Sequence, residues 1–332
     1  MCDTCGCSSP VEEHAQGSGN KLAVVAIGGN SLILDKSKKS IPDQETAAIE
    51  TCRHIAKMVE MGWNVVVTHG NGPQVGFILR RSELAAKELH EVPLDYCGAD
   101  SQGAIGYTIQ RALNNQFKRD GLSRTVATVV TQVLVDKDDE AFSHPRKPIG
   151  SFMEEEEAKR REREDHWSVI EDSGRGWRRV VASPIPREVV EQEAIEALIE
   201  KNCVVIAVGG GGIPVVRNDQ GSLSGVAAVI DKDHASSLLA NNIGANLLLI
   251  STAVEKVCLN FGKENEESLS SMSLSQAKKY LEQGHFAPGS MAPKIQACIN
   301  YLESGGEKAL ITTPFAIEKA IKGETGTWIS KD

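Results

Sequence analysis

The stretch KLAVVAIGGN, residues 21–30, decides the fold. Residues 22–27 form a continuous apolar run rich in β-branched side chains, which is typical of a strand that is covered on both faces. The run ends directly at Gly-Gly-Asn. Downstream, apolar side chains recur at helical spacing at Ala48, Cys52, Ile55 and Val59. Gly62 then stands where a helix is expected to end, since glycine is favoured after a helix C-terminus.

The same unit recurs along the chain. Further strands are predicted over residues 63–68, 203–208, 246–251 and 308–312, and predicted helices alternate with them. Strands that alternate with helices at this spacing form parallel sheets with helices on both faces. The predicted fold class is therefore α/β, a three-layer α/β/α sandwich with a largely parallel central sheet.

The composition excludes several classes of protein. Hydrophobic residues make up 41% of the 332 residues, but no apolar run approaches the roughly 20 residues that cross a bilayer. The formal net charge of −9 argues against nonspecific binding to nucleic acid or to an acidic membrane, although it leaves a local basic pocket open. Five of the eight cysteines are scattered singly, so we expect no disulfide framework and a reducing, cytoplasmic setting.

One segment, residues 136–185, breaks the alternation because it is polar and rich in charge and proline. A short solvated helix is predicted there by three pairs in the favoured order, Glu155/Lys159, Glu156/Arg160 and Glu157/Arg161. Four aromatic side chains argue against a disordered loop because they need to be buried: Phe142, Phe152, Trp167 and Trp177. We interpret the segment as a protruding subdomain or lid inserted into the sheet domain.

Three glycine clusters, at residues 28–29, 70–72 and 209–212, each follow a predicted buried strand. Ligands of open α/β sheets bind beyond the carboxyl ends of the strands, where consecutive backbone N–H groups can cradle a phosphate. Any single cluster could equally be an ordinary strand-to-helix turn. Three in one chain favour an anion site, and none has the spacing of the dinucleotide or P-loop motifs.

Lysines beside such turns are the candidate charged groups. Lys232 lies between Asp231 and Asp233 at the start of a predicted helix. Either aspartate could be a simple N-cap, or the pair could hold an ammonium group where a migrating phosphoryl group needs neutralising. Lys147 lies in a proline-flanked turn, and Lys294 opens another helix, where a cation opposes the helix dipole unless it serves a ligand.

Two further side chains, His69 and Ser31, bear on the type of catalysis. His69, at the end of a predicted strand, could be a general base or could be structural. Ser31 has no G-x-S-x-G sequence around it, which disfavours a hydrolase triad.

Several blocks of the chain together resemble the carbamate kinases, a group of amino-acid kinases. The blocks are AVVAIGGNSL (23–32), THGNGPQVG (68–76), SQGAIGY (101–107), HPRKPIG (144–150), GGGGIPVV (209–216), AVIDKDHAS (228–236) and GHFAPGSMAPKI (284–295). The resemblance runs from about residue 21 to residue 332. It implies the amino-acid kinase fold, a homodimer, and reversible transfer of a phosphoryl group between ATP and carbamate with Mg²⁺, often run toward ATP when arginine or agmatine is fermented.

The resemblance also implies roles for individual residues. The implied catalytic residues are Lys147, Lys232, Lys294 and Asp233. The implied substrate-binding residues are Gly28, Gly29, Asn30, Gly70, Asn71 and Gly72. The implied nucleotide-binding residues are Gly209, Gly210, Gly211, Gly212, Asp231, Thr252, Ala253, Val257, Phe261, Lys263 and Met291. Glu264 stands where the family usually has proline, a departure from the family pattern on the adenine side.

Residues 1–20 are expected to be a flexible tail, because they are rich in Gly, Ser, Pro and Glu and show no hydrophobic period. The resemblance predicts that residues 21–202 form a phosphoacceptor-side lobe that includes the lid at about 136–185. Residues 203–332 are expected to form the nucleotide-binding lobe.

The chemistry agrees with this assignment on separate grounds. Carbamate is already an oxyanion at neutral pH, so its attack on phosphorus needs no general base but needs two anions aligned and neutralised. Two alternatives stay open. One is an amino-acid kinase with a larger acceptor such as acetylglutamate, glutamate or a nucleoside monophosphate, and the other is a metal carrier with a degenerate kinase body.

The metal-carrier alternative depends on Cys2, Cys5 and Cys7, which form C-x-x-C-G-C. The motif is too short for a four-cysteine zinc site, but soft thiolates on a mobile arm could bind Ni, Zn or Cu(I). It resembles the N-terminal nickel motif of hydrogenase-maturation GTPases, whose Walker A sequence is absent from this chain. A cysteine-rich terminus that binds no metal is an equally good interpretation.

Overall fold

The computed structural model describes residues 21–28, 40–172 and 176–332. The strands are β1 (Leu22–Ile27), β2 (Asn64–His69), β3 (Val126–Thr128), β4 (Gln132–Val135), β5 (Lys147–Met153), β6 (Ser168–Glu171), β7 (Trp177–Val181), β8 (Pro186–Val189), β9 (Val204–Ile206), β10 (Ile213–Arg217), β11 (Leu223–Gly225), β12 (Leu247–Ser251), β13 (Val257–Leu259), β14 (Glu267–Leu269), β15 (Ser271–Ser273), β16 (Lys308–Thr312) and β17 (Thr327–Ser330). The helices are α1 (Ile41–Glu60), α2 (Gly72–Ala85), α3 (Leu94–Asp120), α4 (Glu155–Glu164), α5 (Gln192–Glu200), α6 (Lys232–Asn242), α7 (Leu274–Glu282), α8 (Met291–Glu303) and α9 (Ile317–Ile321).

The central sheet has eight strands in the order β15-β17-β16-β12-β1-β2-β9-β3. The strands from β16 to β3 pair in parallel, and β17 runs antiparallel to β16 at one side. Strand β1 lies inside the sheet, between β12 and β2. This position explains its continuous apolar sequence, because parallel strands with helices on both faces are buried on both faces. The predicted α/β fold class is confirmed.

Two apolar layers flank this sheet. Val24 and Ala26 of β1 pack with α6, α7 and α8 in one core, and Val25 and Ile27 pack with α1, α3 and α9 in the other. Alternate side chains of a strand point to opposite faces, so one short run supplies both cores. The three-layer prediction is correct.

Helix α1 ends where its sequence predicts, and side chains cap its start. Ser40 and Asp43 form a reciprocal capping box at its N-terminus. At its C-terminus Gly62 has a φ of 89°, a left-handed conformation that glycine adopts without steric cost.

Residues within the predicted lid form a small sheet of their own. Strands β5, β7 and β6 pair antiparallel in that order, and helix α4 packs beside them; this unit is called the inserted subdomain below. Its cationic side chains lie over its aromatic rings, as with Lys159 over Trp177 and Arg178 over Phe152. Phe142 packs instead against the core that contains Val24.

The predicted ion pairs of the short helix form only in part. Arg161 pairs with Glu157 as predicted. The other two expected pairs are wrong, because Lys159 pairs with Glu162, and Arg160 pairs with Glu157 and Glu164. Positions three and four residues apart are both neighbours on a helix surface, so spacing alone does not choose between them.

Two expectations drawn from composition concern membrane-spanning helices and disulfides. No helix among the described residues combines the length and the apolar character that crossing a bilayer requires. The five cysteines within the described ranges are free thiols.

The inserted subdomain approaches helix α2 most closely at two glycines. A Cβ atom added to Gly76 would lie 2.5 Å from the Cα atom of Gly150 on β5. We therefore expect Gly76→Ala to lower the free energy of unfolding by roughly 1–3 kcal/mol, because backbone must move to admit the methyl group. Denaturant unfolding followed by circular dichroism measures the change.

The matched control is Gly103→Ala in helix α3, where an added Cβ meets nothing within 4 Å. That substitution should be neutral or stabilise the protein by up to roughly 1 kcal/mol, since alanine favours helix over glycine. Equal stability of the two variants would show that the glycine contact does not constrain the subdomain.

Candidate active site

The loops that follow the parallel strands meet at one edge of the central sheet. The N–H of Gly28, after β1, donates to the carbonyl of Ser251 in β12, and the N–H of Gly70, after β2, donates to the carbonyl of Ile27. Gly28, the start of the loop after β2 and the end of β12 are therefore adjacent. This is the edge at which open α/β sheets bind ligands.

The four-glycine loop closes against this edge. Gly210, Gly211 and Gly212 have φ values of 69°, 97° and 90°. An added Cβ at Gly209 would overlap the His69 ring, and one at Gly210 would overlap the Asn71 amide. The glycines are therefore required by the packing of this loop on the loop after β2, in addition to any ligand contact.

A buried glutamine braces the same loops and was not singled out by sequence reasoning. The Gln102 Nε2 atom donates to the carbonyls of Gly209 (2.9 Å) and Thr131 (3.0 Å), and its Oε1 accepts from the N–H of Thr131 at 2.8 Å. The side-chain amide of Asn71 donates to the hydroxyl of Ser101, which directly precedes Gln102 on α3. The adjacent polar residues Ser101 and Gln102 inside a long helix were the available sequence signal, because a buried side-chain amide needs hydrogen-bonding partners.

Charged side chains converge at the start of α6. Asp231 is the N-cap, and one of its oxygens accepts from the N–H of Asp233 at 2.9 Å. Its other oxygen accepts from Lys147 Nζ of the inserted subdomain at 2.6 Å. Asp233 accepts from the ammonium groups of both Lys232 and Lys294, the latter at 3.1 Å. These five residues are called the lysine cluster.

The lysine cluster is largely buried, and burial shifts the pKa values of its charged groups. The Asp233 side chain is 3% exposed, against 11% for Lys232. Burial by itself would raise the pKa of Asp233, but Lys232 and Lys294 outweigh it and hold the pKa below its usual range. Burial lowers the pKa of Lys232, and the charge of Lys294 adds to this shift while Asp233 opposes it. Three ammonium groups facing two carboxylates leave one positive charge for an anionic ligand.

Asp231 is likewise kept ionised. Burial would raise its pKa, but Lys147, His234 and Lys232 outweigh that effect and lower it well below the usual range. Lys147 thus reaches the cluster in this structure. The lid interpretation of residues 136–185 also predicts that Lys147 enters the site only when that segment closes, and this stays a prediction.

The other predicted nucleotide-binding residues lie on several strands, helices and turns. Phe261 and Lys263 lie in the turn of the β13–β14 hairpin, where the Phe261 ring is 67% exposed. Val257 is fully buried, and its N–H donates to Thr327. Thr252 and Ala253 follow β12, and Met291 begins α8 one turn before Lys294. Gly29, Asn30, Cys2, Cys5 and Cys7 lie outside the described residues.

His69 is a packing residue at this site. It is buried beside Gly209, and its Nδ1 atom lies 3.2 Å from the carbonyl oxygen of Gly70. Its pKa is lowered to about 4, chiefly by burial and also by the charge of Lys232, while the Gly70 contact opposes both. The imidazole is therefore neutral near pH 7.

This neutral histidine predicts a pH dependence of stability. The unfolded chain binds the proton near its ordinary pKa of 6.5, whereas the native state binds it only near 4. Stability is therefore lost as the pH falls through this window. Between about pH 7.5 and about pH 5.5, the wild type should lose about 1 kcal/mol more than His69→Gln. Denaturant titrations at each pH test this, and parallel curves would contradict it.

Comparison with known proteins gives a consistent family. The profile of the amino acid kinase family matches residues 21–313. The carbamate kinase-like protein YahI of Escherichia coli (strain K12) is 50% identical over 314 residues, which cover 94% of this chain and 99% of YahI. The carbamate kinase of Pyrococcus furiosus is 46% identical over 311 residues, which cover 93% of this chain and 99% of that protein.

A solved structure agrees with these sequences. Carbamate kinase from Giardia lamblia bound to AMP-PNP superposes with a TM-score of 0.87 at 42% identity, over 94% of this chain and 99% of that one. The chain therefore belongs to the amino acid kinase family, within its carbamate kinase group.

Proposed function

We propose that the chain catalyses reversible phosphoryl transfer between ATP and carbamate, giving ADP and carbamoyl phosphate. The observation that carries the proposal is the lysine cluster, in which three ammonium groups meet two carboxylates at the ligand-binding edge of the sheet. The excess positive charge suits a reaction between two anions. The names of the relatives support carbamate as the acceptor.

The proposed chemistry needs charge and alignment more than proton transfer. Carbamate attacks as an oxyanion, so no base has to remove a proton before the new bond to phosphorus forms. In a loose phosphoryl transition state, negative charge is spread over the transferred oxygens, and preorganised cations stabilise it. His69 is buried and its pKa is lowered to about 4, so it would be a weak base, which agrees with a reaction that needs no general base.

Each ammonium group has a fixed carboxylate partner. Asp233 holds Lys232 and Lys294, which come from the starts of α6 and α8. Asp231 holds Lys147, which begins β5 of the inserted subdomain. We assign Lys232 and Lys294 to the transferred phosphoryl group and Asp233 to their positioning. Lys147 joins them from the lid side.

Substrate positions follow from the same edge. We propose that carbamate binds near Gly28 and residues 70–72, with Gly29 and Asn30 completing that loop. The nucleotide would lie toward residues 209–212, the end of β12 and the exposed β13–β14 hairpin. A relative that binds AMP-PNP, an ATP analogue, supports an adenine nucleotide.

We propose that Mg²⁺ enters with the nucleotide. Within the described residues, no group of three or more His, Cys, Asp or Glu side chains is arranged to hold a metal ion. Magnesium is often held by substrate phosphates, waters and one or two carboxylates, so such a cluster is not required. Asp231, one-fifth exposed, is the carboxylate of the lysine cluster that could supply an oxygen. The bound ion would neutralise phosphate charge.

The remaining parts of the proposal come from the family resemblance. They are a homodimer, a cytoplasmic location, and synthesis of ATP from carbamoyl phosphate during arginine or agmatine breakdown. A coupled assay for ATP formed from ADP and carbamoyl phosphate separates this function from both alternatives. A kinase with another acceptor and a metal carrier acting through Cys2, Cys5 and Cys7 would each give no ATP.

Removing the most buried ammonium group tests the catalytic assignment. Lys232→Ala should lower turnover by roughly 10²-fold or more, because a preorganised charge at the transferred phosphoryl group is lost. The control is Lys201→Ala, at an exposed lysine between α5 and β9, which should keep wild-type turnover. A folded Lys232→Ala enzyme with near-normal ATP formation would disprove the role.

Lys147 should affect turnover more than nucleotide binding. We expect Lys147→Met to lower kcat by roughly 10²-fold, while the dissociation constant of ADP changes little, because the side chain joins the reacting group from the inserted subdomain. Steady-state kinetics and ADP titration calorimetry provide the two numbers. Equal losses in both would assign Lys147 to nucleotide binding instead.

A further inference from the structure

A cavity lies between helix α2 and the inserted subdomain. Its volume is about 200 Å³, and none of the lysine cluster residues lines it. Apolar side chains form much of its wall: Leu79, Ile149, Phe152, Met153 and Trp167. An engineered apolar cavity of about 150 Å³ can hold benzene, so this space can take a single ring with a small polar substituent.

One wall of the cavity carries an arginine that lacks a hydrogen-bonding partner. The Arg179 side chain is 26% exposed, and its closest carboxylate oxygen, Glu83 Oε1, is 3.9 Å from Nη1, beyond hydrogen-bonding distance. Its guanidinium stacks over Trp167, with Cζ 4.5 Å from the ring centroid. Burial lowers the pKa of Arg179, and nearby acids only partly oppose this. No hydrogen bond joins its guanidinium to any residue in the described ranges.

The neighbouring arginines differ in this respect. Arg161 also stacks on Trp167 but donates to Glu157 and Asp165, and Arg80 donates to Glu83. Their donors are therefore engaged. A partly buried guanidinium that makes no hydrogen bond to the described residues can donate to an anionic ligand, which would offset part of the cost of its burial.

We propose that this cavity binds a small organic carboxylate with an apolar body. The carboxylate would accept hydrogen bonds from Arg179, since guanidinium and carboxylate pair in a bidentate geometry. The apolar body would occupy the space among Leu79, Phe152 and Trp167. The charged groups that line the cavity favour an anion, because three arginines face two glutamates there: Arg80, Arg161 and Arg179 against Glu83 and Glu157.

Occupancy of the cavity would bear on the position of the inserted subdomain. Its lining residues come from α2 on one side and from β5, α4 and β7 on the other, so a ligand would contact both bodies. Strand β5 begins at Lys147 and packs on α2 where Gly150 meets Gly76. A bound carboxylate would therefore hold the subdomain in the arrangement that brings Lys147 to Asp231.

Titration calorimetry with sodium benzoate in phosphate-free buffer tests the site, and benzamide is the uncharged control of the same shape. We expect saturable one-to-one binding of benzoate to the full chain and much weaker binding of benzamide. Arg179→Gln should weaken benzoate binding by roughly tenfold or more. The control is Arg217→Gln on β10, because Arg217 pairs with Glu188 and neither residue lines the cavity. It should bind benzoate like the wild type.

Two further variants distinguish binding in the cavity from binding at the lysine cluster and from a folding defect. Lys232→Ala should bind benzoate normally, which separates this site from the lysine cluster and from the proposed function. Leu79→Phe, which fills the cavity without changing its charge, should abolish binding even where Arg179→Gln folds poorly. Loss of binding in Lys232→Ala with retention in Arg179→Gln would place the anion at the lysine cluster and overturn the proposal. Absence of benzoate binding to the wild type would overturn it as well.

Discussion

The paired contact of Asp233 with Lys232 and Lys294 is the interaction on which the rest of the site depends. An isolated carboxylate that is 3% exposed would be costly to ionise, and two adjacent ammonium groups are what keep it charged. In return, Asp233 fixes two cations of long, flexible side chains in one geometry. Breaking either pair would leave a buried charge uncompensated, so the cluster is maintained as a unit.

The glycine loops make that geometry possible. Residues 209–212 pack so closely on His69, Asn71 and the carbonyl of Ile230 that no side chain can be admitted. The loop before Asp231 is thereby held against the loop after β2. Gln102 then ties Thr131 to Gly209 with three hydrogen bonds. The site is thus built from glycine backbone packed against the side chains of His69 and Asn71 and against the carbonyl of Ile230.

The inserted subdomain adds the remaining cation and depends on a different balance of forces. Its charged side chains are largely satisfied by ion pairs and by stacking on aromatic rings, as for Arg161 between Glu157 and Trp167. The subdomain contacts α2 where Gly76 meets Gly150 and through an apolar cluster that includes Val75 and Ile149. The cavity beside that contact contains Arg179. The position of Lys147 therefore depends on a contact that a single methyl group or a small ligand could alter.

The sequence by itself determined the layered α/β architecture. The run at β1 requires burial on both faces, and Gly62 ends α1 through a local backbone preference, so both could be read from neighbouring residues. Lys232 was also a local prediction, because it is adjacent in sequence to both aspartates. Only the tertiary structure decided that Lys147, 84 residues from Asp231, and Lys294, 61 residues from Asp233, converge on them. The hydrogen bonds of Gln102 and the position of Arg179 over Trp167 were likewise decided by packing. Periodicity and backbone conformation are short-range properties, whereas ion pairs between distant segments depend on how whole layers stack.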